Sequence, residues 1–337
     1  MALDVKIDLK DRRILYELCL NARASSSFIA KKVGLSSQLV DYRMKRLEKL
    51  DVIQGYYSCI DISKVGYSIF KIYIRLQNLS KEEEEKMIND LSQSPQITWV
   101  AQCDGAWDLY LVVWAKNVFS FNETFKEINN KYSYYFSKKS IIANTTISQF
   151  TRKHLAPEIK MRDYSKLDWL GEISEVELDK VDYQILLTIS LNARFSEVEI
   201  AKRIASSLKT VRYRLKKLIT QKIIFAYRPF LNGDLLGYKN YKVFLSIQSL
   251  TPEREKKLIS YLNTHPYVIE VIHCIGNWEI ELEIETPSIE SKQDLIRDLR
   301  DKFTDVIREI QTMLIYKSSK YDYLPSGLKE IQEKLKD

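Results

Sequence analysis

The chain has 337 residues, 45% of them hydrophobic, enough for two to four compact domains with real cores, so wholesale disorder is not expected. No run of eighteen apolar residues occurs and the opening MALDVKIDLKDRR has no apolar stretch behind its charges, so neither a membrane span nor a signal peptide is expected and the location reads as cytoplasmic. The net charge of +7 suits a polyanionic partner without requiring one, and Cys19, Cys59, Cys103 and Cys274 lack metal-ligand or disulfide spacing, so they read as buried reduced thiols with no metal or cofactor.

The first predicted helix runs from about Lys10 to Leu20, with Ile14, Leu15, Leu18 and Cys19 at helical spacing. A second spans about Ser27 to Val33 after the cap candidates Ser25 and Ser26, and Gly34 stands where a turn needs a left-handed residue. The third follows Ser36 and continues to about Leu50. A short turn between the last two helices is the signature of a helix-turn-helix. On the third helix Val40, Met44 and Leu47 share the inward face, which leaves Ser37, Gln38, Asp41, Tyr42 and Lys45 outward, where this motif meets base edges. Arg43, Arg46 and Lys49 flank them as expected phosphate contacts.

A β-rich connector, Val52 to Ile60, leads into strands near 69–76, 97–103, 108–115 and 140–149, with helices near 80–92 and 118–131. The order βαββαβ is ferredoxin-like. Strand alternation puts Phe70, Ile72, Ile74, Leu109, Leu111 and Val113 toward the helices, and Lys71, Tyr73, Arg75, Tyr110, Val112 and Trp114 on the opposite face, too apolar to be left in water. The loop Cys103 to Asp108 contains Asp-Gly, an ordinary hairpin signal. Its glycine turn also offers N–H groups to a carboxylate, with Asp104 or Asp108 available to an amine. Residues 155–175, polar and carrying Pro157 and Gly171, read as a linker.

Beyond the linker the sequence starts again. At a fixed offset of 171, Asn21-Ala22-Arg23 returns as Asn192-Ala193-Arg194 and Gly105 and Trp107 as Gly276 and Trp278, with 36 identities in the 104 positions from Asp8 to Leu111. Copy two has helices near 251–264 and 288–303. Its third helix presents Leu208, Lys209, Arg212, Tyr213 and Lys216 outward, with Ser207, Arg214 and Lys217 beside them, as the expected DNA-facing set of copy two. Ser36 to Asp51 carries a net +1, whereas Ser207 to Lys222 carries +6 with no acid at all. A one-sided basic reading helix is where a DNA-facing surface belongs. The second sheet face carries Lys242, Phe244 and Ser246, then Glu281, Glu283 and Glu285. Face-to-face packing of the two sheets, within or between chains, would oppose Lys71 and Arg75 to that glutamate row. The second loop, Gly276-Asn277-Trp278-Glu279, keeps an acid only at Glu279.

Asp11-x-x-Ile14-Leu15, Asn21-Ala22-Arg23, Ile29-Ala30, Gly34-Leu35-Ser36, Val40-x-x-Arg43-x-x-x-Leu47-Glu48, Ile53-x-Gly55-Tyr56 and Gly105-x-x-Asp108 together resemble the Lrp/AsnC family of feast/famine transcription regulators. The resemblance implies an α+β chain of two winged helix-turn-helix DNA-binding domains, residues 1–60 and 176–231, each followed by a ferredoxin-like effector domain, residues 65–154 and 236–325. It further implies double-stranded DNA and an amino-acid-like effector as partners, the latter near Asp104, Gly105 and Asp108 and near Gly276, Asn277 and Glu279. Family members usually carry one unit, so this chain would be an intramolecular pseudo-dimer associating into homo-oligomers. Copy two replaces Gly34 by Ala205, Leu35 by Ser206, Gly55 by Ala226 and Glu48 by Ile219, so its turn is expected to be altered. Tandem units of this kind also look like haem-pathway decarboxylases acting on sirohaem, which need histidines and arginines converging on a tetrapyrrole. With only His154, His265 and His273 available, a regulator is expected rather than an enzyme; an architectural DNA-binding protein is the other alternative.

Overall fold

A computed structural model describes residues 6–158, 166–174, 176–325 and 327–336. Copy one runs α1 (Leu9–Leu20), α2 (Ser26–Val33), α3 (Ser37–Lys49), β1 (Ile53–Ile60), β2 (Ser68–Leu76), α4 (Lys81–Gln93), β3 (Ile97–Gly105), β4 (Leu109–Ala115), α5 (Val118–Tyr132) and β5 (Phe136–Phe150). A short β6 (Lys166–Trp169) follows. Copy two comprises α6 (Lys180–Leu191), α7 (Glu197–Arg203), α8 (Leu208–Thr220), β7 (Ile224–Leu231), β8 (Lys239–Ile247), α9 (Pro252–Thr264), β9 (Val268–Ile275), β10 (Ile280–Thr286), α10 (Ile289–Lys302) and β11 (Ile307–Tyr321), and α11 (Lys329–Lys336) ends the described chain. The segment read as a linker is in part structured: Leu155 and Ala156 are buried in the first helical core and β6 pairs with β5, while residues 159–165 and 175 lie outside the described residues.

Side-chain caps open each helical trio, from Asp8, Ser25 and Ser36 in copy one and from Asp179, Ser196 and Ser207 in copy two. The turn of copy two is not altered as expected. Ala205 takes φ +51°, close to the +67° of Gly34, so the same left-handed bend is made by a residue with a Cβ. That conformation costs an L-residue about 1 kcal/mol, and Ala205→Gly is expected to raise stability by about that amount in urea unfolding, whereas Gly34→Ala lowers it.

The helical units are locked together about a pseudo-twofold axis. Strands β1 and β7 form an antiparallel ribbon, with Ser58 opposite Tyr227 and Tyr57 opposite Arg228. Each Asn-Ala-Arg turn packs on the other copy's strand: Ala22 N donates to Tyr227 O at 3.0 Å and Ala193 N to Tyr56 O at 2.9 Å. The arginines exchange bonds across the same axis, Arg23 to Ala193 O at 2.7 Å and Arg194 to Ala22 O at 2.5 Å. The most recognisable repeat in the sequence is therefore an inter-copy joint.

The two ferredoxin-like sheets do not stay separate. Strands join in the order β2-β4-β3-β11-β8-β10-β9-β5, and β5 pairs back onto β2, closing an eight-stranded antiparallel barrel. Closure depends on the 15-residue strands β5 and β11, each pairing first within its own copy and then across to β9 or β3. Helices cover the outside, so Ile72, Ile74, Leu109 and Leu111 sit in one outer core and Val243, Leu282 and Ile284 in the other. The expected face-to-face packing becomes an enclosed interior, with both faces belonging to one hydrogen-bonded cylinder.

Candidate nucleic-acid interface and barrel cavity

The reading helices hang on their inward residues. Val40, Met44 and Leu47 bury one side of α3, and Val211, Leu215 and Leu218 bury the same side of α8. Gln38, Asp41, Tyr42, Lys45 and Lys49 are exposed on α3 and Ser37 is half-buried; Lys209, Arg212, Tyr213 and Lys216 are exposed on α8, as is its cap Ser207. Tyr42 and Tyr213, 64% and 67% exposed, hold large rings in solvent at equivalent places.

Four of the expected phosphate contacts are engaged inside the protein instead. Arg43 bonds Asp8 at 2.7 Å and Asp11 at 2.8 Å, and Arg46 bonds Asp11 at 3.0 Å. In copy two Arg214 meets Asp179 at 2.7 Å and Asp182 at 3.1 Å, and Lys217 lies 3.5 Å from Asp182. Asp11 and Asp182 are fully buried, and a buried carboxylate requires such partners. These cations fasten the reading helix to the first helix of its unit. Leaving them out of the charge counts, the outward segment of copy one has a net −1 and that of copy two +4. The difference between the two readers stays at five charges, but the outward segments now differ in sign. On α8, Arg212 keeps a surface bond of 2.6 Å to Glu197 of α7, open to exchange for a nucleic-acid partner.

The two loops expected to hold an effector converge on one end of the barrel, where Trp107 and Trp278 are buried with ring centroids 6.3 Å apart. Their acids have structural partners. Asp108 accepts from Arg75 and from Leu76 N, both at 2.8 Å, and Glu279 accepts from Ile247 N at 2.6 Å. Arg75 also donates to Gly105 O at 2.7 Å, so it closes its own loop and does not oppose the glutamate row as expected. Gly105 (φ +115°) and Gly276 (φ +154°) lie at the seams: a Cβ would come within 2.7 Å of Thr312 O on β11 or 2.8 Å of Ile141 O on β5. Their lack of a side chain lets the copies approach. Asp104 and Asn277 remain exposed.

Inside the barrel, Lys71 meets Glu281 at 2.7 Å, Lys242 meets Glu281 at 3.0 Å and Glu283 at 2.8 Å, and Tyr73 donates its hydroxyl to Glu281 at 2.6 Å. Burial alone would raise the Glu281 pKa, but the ammonium groups of Lys71 and Lys242 outweigh it and hold the carboxyl down at about 2. Beyond this centre, between the barrel and the β1–β7 ribbon, lies a cavity of about 720 Å³ bordered by Tyr57, Trp99, Tyr110, Asn144, Glu270 and Phe230. Sequence reasoning passed over Trp99, Asn144 and Glu270. Alternation along β3 and β9, which places Trp99 with Ala101 and Cys103 and Glu270 with Ile272 and Cys274, is the signal that finds two of them. None of the three histidines borders the cavity: His154 bonds Glu285 at 3.1 Å, His273 lies 3.5 Å from Glu255, and His265 packs beside Tyr261 and Tyr267.

Two capped three-helix readers, one strongly basic outward, mounted on a shared α/β barrel define a helix-turn-helix DNA-binding protein. A winged helix-turn-helix DNA-binding family model matches residues 7–54 and again 178–224. An HTH-type transcriptional regulator of Pyrococcus furiosus is 35% identical over 127 residues, 37% of this chain and 82% of the relative, and the proline dehydrogenase transcriptional activator of Rhodobacter capsulatus is 29% identical over 122 residues, 36% and 79% respectively. The chain belongs to the Lrp/AsnC family of helix-turn-helix transcriptional regulators, with two units in one polypeptide. The crystal structure of the siroheme decarboxylase NirDL superposes with a TM-score of 0.62 over 98% of this chain and 97% of its own, at 10% identity, a likeness of fold.

Proposed function

We propose that the chain is a sequence-specific transcription regulator, not an enzyme, whose readers have unequal tasks: Lys209, Arg212, Tyr213 and Lys216 of α8 anchor and read DNA, while Ser37, Gln38, Asp41, Tyr42, Lys45 and Lys49 of α3 add contacts with little net attraction. The outward +4 of α8 carries this reading. A small effector acts on the α/β part, with Asp104 and Asn277 as the exposed polar groups of the paired loops. The pseudo-dimer associates further through exposed Val118, Phe119 and Ile289, two of which, Val118 and Ile289, correspond at the repeat offset.

The decisive experiment selects bound fragments from genomic DNA and compares their affinity with that of random duplex. Arg212→Ala is expected to narrow the ratio between them by about 10-fold, the discrimination of one base contact, with random-duplex affinity little changed. Equal loss on both would overturn direct readout by Arg212. A decarboxylase reading is favoured only by the likeness of fold. Against it, no histidine borders the cavity, and three of the cations beside it are held by carboxylates, Lys71 by Glu281, Lys242 by Glu281 and Glu283, and Arg152 by Glu285 at 3.0 Å, while Arg228 donates to Leu20 O at 2.7 Å. Sirohaem mixed with the protein should keep its absorbance spectrum unchanged.

A further inference from the structure

Corresponding positions of the two copies have diverged to opposite chemistries inside the barrel. At the offset of 171, Trp99 answers to Glu270, Tyr110 to Glu281, Val112 to Glu283 and Trp114 to Glu285. One wall is aromatic and apolar, the other a row of carboxylates. Three of the four carboxylates are compensated: Glu281 and Glu283 by lysines, Glu285 by Arg152 and His154. Glu270 has only the Gln149 amide, which donates at 3.0 Å, and no cation among the described residues lies within ion-pair distance. It stands directly across the ladder from Glu283. Burial, and then the charge of Glu283, push its pKa up to about 7. Asn144, only 8% exposed, borders the same cavity, and neither its amide nitrogen nor its oxygen has a partner. Buried carboxamides are almost always satisfied, so this one points to a group that arrives from outside.

We propose that this cavity is a binding site for a small organic cation, whose ammonium or guanidinium lies between Glu270 and Glu283, whose body rests against Trp99 and Tyr110, and whose polar substituent pairs with Asn144. A cation bonded to carboxylates and set against aromatic rings gains from both ion pairing and the ring quadrupoles, and the volume suits a small molecule. Tyr57 and Phe230 of the β1–β7 ribbon border the same space, so an occupant touches the element that joins the two DNA readers. That consequence for DNA rests on the function proposed above; binding itself does not.

The test titrates the full-length chain, without DNA, with tyramine, tryptamine and agmatine by calorimetry, using 3-(4-hydroxyphenyl)propionate as the anionic counterpart of tyramine. At least one amine should bind once per chain and the propionate should not bind. Glu270→Gln should weaken amine binding at least 10-fold. In the wild type, affinity should fall as pH drops from 8 to 6, because Glu270 binds the cation only when ionised. The charged or titratable groups around it are Glu283 on β10, Lys242 on β8, Lys71 on β2, Tyr110 on β4, Tyr321 on β11 and Cys59 on β1. No binding by any amine, equal binding of tyramine and the propionate, or undiminished binding to Glu270→Gln overturns the proposal. Should that variant fail to fold, the wild-type pH dependence decides, and an affinity unchanged between pH 8 and 6 is a refutation. Loss of DNA binding with amine binding intact would count against the regulator reading alone.

Discussion

Replacing Glu281 by alanine should lower the stability of the chain by about 3–5 kcal/mol, read as a shift of the urea midpoint. The carboxylate is fully buried and lies within 3.0 Å of both Lys71 and Lys242, whose side chains are 3% and 1% exposed. Its removal leaves Lys71 without a carboxylate partner inside the barrel and Lys242 with Glu283 alone, and it strips the Tyr73 hydroxyl of its acceptor. Removing Lys71 and Glu281 together, as Lys71→Met with Glu281→Leu, should recover much of the loss, since apolar groups of similar volume need no partner and Lys242 keeps Glu283. A double variant no more stable than the single one would argue that the network is worth more than its desolvation.

The same carboxylate ties stability to pH. Its folded pKa of about 2 lies below the ordinary 4.5, so its contribution is fully present above about pH 4.5 and is lost as pH falls toward 2. The difference corresponds to roughly 3 kcal/mol, and Glu285, held down at about 2 by Arg152 and His154 against its burial, adds a loss over the same window. Acid unfolding should therefore steepen below pH 4.5, and Glu281→Ala should flatten that limb.

Charge reversal on α8 should have the largest effect on DNA. Lys209→Glu with Lys216→Glu is expected to weaken binding about 100-fold near 0.1 M salt and to reduce the slope of log affinity against log salt by about two, the release of two phosphate contacts. Both side chains are exposed, so the unfolding midpoint should hold. The matched pair on α3, Lys45→Glu with Lys49→Glu, should cost far less, because acids already outnumber free cations there. Equal losses from the two helices, measured by fluorescence anisotropy across a salt series, would remove the division of labour between copies.

How far the site could be read in advance differs by residue. The inward faces of α3 and α8 follow from spacing, because a helix that must bury one side shows it every three or four residues. Arg43 and Arg214 look no different from Lys45 and Lys216 by that criterion. What separates them is a buried aspartate 32 residues earlier in the chain, and no local pattern reveals an ion pair at that distance.

The sequence by itself determined the duplication, the helix-turn-helix units, the βαββαβ order and the face of each strand that meets its helices, all properties of local periodicity and of residues compared at one fixed offset. Only the tertiary structure decided that the two sheets close into one barrel, because closure is made by backbone hydrogen bonds of β5 and β11 across the seams, which leave no side-chain pattern beyond the glycines at 105 and 276 that let the backbones approach. It also decided the partners of the glutamate row. Lys71 reaches Glu281 because the barrel sets their strands on facing walls, while Arg75, four residues further along the same strand, lies beside the loop of its own copy and turns to Asp108.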